Sequence, residues 1–217
     1  MSNLTRSTKW EGRVPTVRDL AYIMALLAMV PVLVLYLDGS VRTYIVSLDG
    51  RPGIMAARWV SAMGYGLLNA ALAAIIMAAG IFMGRPREAM AGRLGLFAVI
   101  AGGLSVQLLK HLFCRGRPLT EVAGQFFAAF PCLEMGSRLI SFPSGHSVSA
   151  FALAYVLSRA YPKGAGIFYL LASMVALSRV YLASHFPSDV VAGAAHGLLA
   201  GWFVCRIARF QLKDGQS

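Results

Sequence analysis

The chain has 217 residues, with 20 Lys and Arg against 9 Asp and Glu for a formal charge of +11, yet only 13% of its residues are charged and 58% are hydrophobic. Counted with Gly in place of Tyr, the apolar share is about 64%, far above the roughly 45–50% of globular proteins. That composition excludes disordered, collagen-like and disulfide-scaffold classes and points to an integral membrane protein; the scattering of the basic residues between apolar stretches argues against nucleic acid as a partner.

The first apolar segment, 20–37, lies between Asp19 and Asp38 and follows Arg6, Lys9, Arg13 and Arg18. It is expected to be a signal-anchor helix that stays, because no small-residue cleavage site stands near Tyr36 and Leu37. The longest uncharged run, between Arg58 and Arg85, predicts one tilted span over 59–84. Four more spans are predicted over 94–112, 144–159, 164–182 and 188–206, with charges kept to their ends. With no repeat and no polar linker, the expected architecture is all-α, a six-transmembrane helix bundle forming a single domain over 1–217.

Positive charge in short connections accumulates on the cytoplasmic side. Six spans with an internal N-terminus place twelve of the 20 Lys and Arg inside, so both termini are expected in the cytoplasm, in a bacterial inner membrane. The connection from Cys114 to Ser141 is then an outer loop, whose Phe126, Phe127 and Phe130 are expected to dip into the headgroup region, like Tyr44 and Ile45 of the first outer loop. Cys114, Cys132 and Cys205 form no CxxC or Cys/His pattern and predict no metal site. Free thiols are the simple expectation, with a Cys114–Cys132 disulfide open to a loop in an oxidising compartment.

Antiparallel spans impose a parity rule: the ends of odd helices and the starts of even ones share one face. Lys110 and Arg117 after span three, Ser144, Gly145 and His146 at the start of span four, Ser178 and Arg179 at the end of span five, and His185 and Asp189 at the start of span six all fall on the outer face. A net positive cluster there calls for an anion, and Arg forks with a Lys ammonium suit phosphate. Pro143-Ser144-Gly145-His146 adds a helix N-terminus whose N–H groups can hold phosphate oxygens. His185 and Asp189, four apart, can form an imidazole–carboxylate pair that leaves Nε2 as a basic lone pair, the requirement for a nucleophilic histidine. His146 is then available as general acid. His111 and His196 carry no comparable motif.

These residues resemble the three-part signature of the type 2 phosphatidic acid phosphatase family, in its integral-membrane bacterial lipid phosphatase branch. The signature is Lys-x6-Arg-Pro, Pro-Ser-Gly-His and Ser-Arg-x5-His-x3-Asp, here Lys110 to Arg117-Pro118, Pro143 to His146, and Ser178-Arg179 to His185 to Asp189. The resemblance implies that His185 attacks phosphorus to form a phosphohistidine, that Asp189 orients it and that His146 protonates the leaving group. It implies phosphate binding by Lys110, Arg117, Ser144, Gly145 and Arg179, and neither metal nor other cofactor. The expected substrate is a membrane lipid phosphate: undecaprenyl diphosphate, phosphatidylglycerophosphate, phosphatidate or lipid A 1-phosphate, with 119–140 as the selecting loop. A phosphotransferase of the same family and a non-catalytic carrier of phosphorylated lipids are the rival readings, and the oligomeric state is not legible.

Overall fold

The computed structural model describes residues 13–48, 52–128, 132 and 139–214. They form eight α-helices: α1 Val17–Tyr36, α2 Asp38–Ser47, α3 Ile54–Ala62, α4 Gly66–Phe82, α5 Pro86–Phe113, α6 Gly145–Ala160, α7 Ala165–Tyr181 and α8 Pro187–Asp214. No strand occurs among them, as the uniformly apolar runs predict. Four helices, α1, α5, α8 and α7 with its 3-10 lead-in, are long and apolar enough to cross a membrane. The α3–α4 pair makes a fifth span if taken together. The remaining predicted span, the fourth, is α6 with 16 residues, short of the roughly 20 that cross a bilayer core.

That short helix is the axis of the bundle. Most of its side chains are buried, and α5, α7 and α8 pack around it. Its contact with α8 is set by Gly193 and Gly197: a Cβ on Gly193 would lie 2.5 Å from the Ser144 carbonyl oxygen, and one on Gly197 2.3 Å from that of Val148. Small residues one turn apart let two backbones meet closely, and here they lock the starts of α6 and α8 side by side. Below them Leu94, Ala98, Leu153, Val156 and Cys205 form the main apolar core. The outer surfaces of α1, α4 and α7 expose Leu35, Leu67, Ile75, Phe82, Leu170 and Leu177, an apolar coat that hydrocarbon solvates and water does not.

The run 59–84 is not one tilted span. It breaks between α3 and α4 with a bend of 51°. Gly64 sits at the break because a Cβ there would meet Val175 Cγ1 at 2.4 Å and His146 Cβ at 2.9 Å. The Met63 carbonyl at the break is recovered by Asn69, whose Nδ2 donates to Met63 O at 2.9 Å and also reaches Tyr65 O at 3.3 Å. The expected first outer loop contains a helix, α2, in which Tyr44 is exposed and Ile45 buried. At the end of the bundle away from the predicted site residues, Arg159 bridges to Asp19 at 2.5 Å, and Thr16 and Asp19 form a reciprocal cap on α1.

Candidate active site

All eight predicted site residues lie at one end of the bundle. Lys110 is in the last turn of α5, which Cys114 closes in a left-handed conformation, and Arg117 follows in the connection. Ser144 is the N-cap of α6, with Gly145 and His146 behind it; the first N–H groups of a helix have no partner within it. A Cβ on Gly145 would lie 3.7 Å from Lys110 Nζ, so the glycine leaves the backbone open toward the ammonium. Arg179 closes α7, and its Nη1 donates to Ser61 Oγ at 2.7 Å. Lys110, Arg117, Arg179, His146 and His185 lie within electrostatic reach of one another.

His185 is not on α8 but in the turn before it, where the N–H groups of Ser184 and His185 both donate to Arg179 O at 3.0 and 3.3 Å. The ring is 2% exposed. Its Nδ1 lies 3.5 Å from Asp189 Oδ2 and 3.4 Å from Ser141 Oγ, so Nε2 is directed away from the carboxylate. Asp189 Oδ2 also accepts from Ser141 Oγ at 2.5 Å and from Phe186 N–H at 2.9 Å, and it thereby caps its own helix. Ser144 N–H donates to the Asp189 carbonyl at 3.0 Å, tying the two helix starts together.

Burial pushes the His185 imidazole down to about 4; Asp189 offsets part of that effect, and Arg117 and Arg179 add to it. The ring is therefore neutral at physiological pH. The Arg117 guanidinium is likewise lowered by burial, with Asp189 working the other way. Among the described residues, the buried Ser144 Oγ, His146 Nε2, Arg117 Nε and Arg179 Nε have no hydrogen-bond partner. Leaving a buried polar group unpaired costs about 1–3 kcal/mol; of the eight such atoms among the described residues, these four lie at the end of the bundle that carries Lys110 and His185, where an oxygen-rich ligand would pair them. No three His, Cys, Asp or Glu side chains converge among the described residues.

Several neighbours escaped the sequence reading. Tyr65, at the α3–α4 break, sets its ring 4.7 Å from that of His146. Arg115 and Asp38 are buried beside Asp189, without any motif of their own to announce them. Cys114 and Cys132 are joined in a disulfide, with Cα atoms 5.8 Å apart, while Cys205 is free and buried. Phe126 does not reach for lipid: it packs on Phe142 and lies 4.6 Å from the Arg115 guanidinium. Phe127 is exposed, and Phe130 lies outside the described residues. His196 Nε2 meets Ser105 Oγ at 2.7 Å, a clamp between α5 and α8, and His111 turns back onto Gln107 O at 2.8 Å.

A family model described as the PAP2 superfamily matches residues 92–213. The chain is 34% identical over 159 residues to the decaprenylphosphoryl-5-phosphoribose phosphatase of Mycobacterium tuberculosis, over 73% of this chain and 82% of that one. It is 35% identical over 108 residues, 49% of its length, to the lipid A 1-phosphatase of Rhizobium johnstonii, and it spans only 42% of that relative. The crystal structure of a transmembrane PAP2-type phosphatidylglycerolphosphate phosphatase from Bacillus subtilis superposes with a TM-score of 0.67 and 26% identity, covering 90% of this chain and 98% of that one. With the family match running through more than half its length, the chain belongs to the PAP2 superfamily.

Proposed function

We propose that the chain is a metal-independent lipid phosphate phosphatase working through a phosphohistidine. The observation that carries this reading is the set of unpaired buried groups, Ser144 Oγ, His146 Nε2, Arg117 Nε and Arg179 Nε, gathered around a neutral, oriented His185. Lys110, Arg117 and Arg179 hold the phosphate with Ser144 and the Gly145 backbone at the N-terminus of α6. His185 Nε2 attacks phosphorus and the P–O bond to the lipid breaks, while His146 gives its proton to the leaving oxygen. Water then attacks phosphorus, His146 takes its proton, and the N–P bond breaks to release phosphate and restore both imidazoles. The mechanism requires His146 to enter the cycle protonated, with the bound phosphate as its counter-ion.

A lipid substrate is supported by an apolar groove of about 400 Å³ between α4, α6 and α7, lined by Leu72, Ile75, Leu157, Leu171 and Val175 among others. Val175, which lines the groove, and His146 both lie against Gly64, and we take that side of the site as the one from which the leaving alcohol departs. Undecaprenyl diphosphate, phosphatidylglycerophosphate, phosphatidate and lipid A 1-phosphate all present such an alcohol or phosphate on a long chain. We place the site on the outer face of a bacterial inner membrane, with both termini inside and 1–217 as one domain. The test is phosphate release by detergent-purified protein from these lipids with EDTA present, beside His185→Ala. Release that survives EDTA and vanishes in the variant is the expected result. Equal release by His185→Ala rejects the mechanism.

A further inference from the structure

Asp189 has a second partner on the face away from His185. Arg115, 1% exposed, donates from Nη1 to Asp189 Oδ1 at 2.5 Å and to Ser188 Oγ at 2.7 Å. Its Nη2 donates to Asp38 Oδ2 at 2.7 Å, and its Nε reaches Gly124 O at 3.4 Å. The rings of Phe126 and Phe186 lie 4.6 and 4.2 Å from the guanidinium carbon. Asp38, 3% exposed, accepts further from Ser188 N–H at 3.0 Å and from Ser188 Oγ. The Arg115 fork is thus occupied by two carboxylates and a hydroxyl, which leaves it no free edge for phosphate.

One buried cation between two buried carboxylates has a direct consequence for the reaction. Ser141 Oγ and Phe186 N–H hold Asp189 Oδ2, but Oδ1 has Arg115 as its side-chain partner; with Oδ1 held by a guanidinium as well, neither oxygen is free to take up a proton and Oδ2 stays facing His185 Nδ1. Asp38 keeps the guanidinium in place and balances its charge, so that Asp189 retains its pull on the imidazole. We propose that Arg115, seated by Asp38, is a positioning residue that fixes the Asp189 carboxylate and through it the line of attack of His185. The proposal rests on the reading of His185 as nucleophile. It also brings the α1–α2 junction, outside the segment that the family model matches, into the catalytic geometry.

The test is steady-state kinetics of Arg115→Ala, Arg115→Lys and Asp38→Asn on a radiolabelled lipid phosphate, each in the wild-type and the Asp189→Asn background. Misplacing a reacting group by about 1 Å costs about 100-fold, so Arg115→Ala is expected to lower kcat about 100-fold with KM within about 3-fold. Arg115→Lys recovers part of the loss, and Asp38→Asn loses about 10-fold. In the Asp189→Asn background Arg115→Ala costs less than about 3-fold more, because residues acting as a unit are non-additive. An equal loss in both backgrounds makes Arg115 a fold residue and overturns the proposal, as does a loss carried by KM. Where Arg115→Ala fails to give a monodisperse protein, the isosteric Asp38→Asn decides by the same comparison. Full activity in His185→Ala would instead sink the underlying mechanism, so the two failures are told apart.

Discussion

His185 is the residue whose chemistry depends most on its surroundings. Its imidazole sits near 4 in the folded protein, mainly through burial, against about 6.5 in an unfolded chain. Between those values the unfolded chain binds more protons, so stability rises with pH through the window and falls as pH drops from 6.5 toward 4. Imidazole NMR of histidine-labelled protein is expected to keep His185 neutral down to about pH 4, as burial dictates. The thermal transition is expected to fall less steeply between pH 6.5 and 4 in His185→Gln than in the wild type. A His185 titration at 6.5 would mean a hydrated ring without the burial described. At this scale the eight proposed site residues were legible because their types and spacing suit a phosphate ligand. Asp38 and Arg115 were not, since a buried ion pair spanning 77 positions leaves no periodic trace.

Among the elements, α6 and the α3–α4 break shape the site. The break could not be read from the apolar run 59–84, because a glycine and an asparagine within it add no charge and their effect arises only from contact with α6 and α7. The same is true of α6, whose shortness makes sense only once its burial is seen: an axial helix needs neither a lipid-facing coat nor the full bilayer length. The break sets Gly64 between His146 and Val175, one of the residues lining the α4–α6–α7 groove. Ala71 lines that groove and is exposed, so Ala71→Trp fills it without disturbing the core. The expected outcome is a loss of about 10-fold or more in kcat/KM for a long-chain lipid phosphate, as a bulky side chain displaces the chain worth about 0.8 kcal/mol per buried CH₂. Hydrolysis of a small aryl phosphate should change less than about 2-fold. Equal losses on both would mean that the groove holds only bilayer lipid.

At the scale of the whole molecule, two independent observations bear on which way the bundle faces. The Lys and Arg bias favours the proposed orientation, with the termini in the cytoplasm and the site outside. The Cys114–Cys132 disulfide closes the connection that carries Arg115 and Arg117, at the same end as the site, and such a bond persists in an oxidising compartment and not in the cytosol. A bridge over a loop of this size contributes about 3 kcal/mol by restricting the unfolded chain, and it anchors the segment from which Arg115 reaches Asp189. Thr120 lies within that connection, in a turn whose hydroxyl bonds back to Arg117 O at 2.8 Å. In whole cells Thr120→Cys is expected to react with a membrane-impermeant maleimide, whereas Ser217→Cys should react only after lysis. Labelling of Ser217→Cys in intact cells would invert the bundle and put the phosphate site in the cytoplasm. That result would also leave the disulfide without the compartment that sustains it, so the labelling pattern and the oxidation state of Cys114 should stand or fall together.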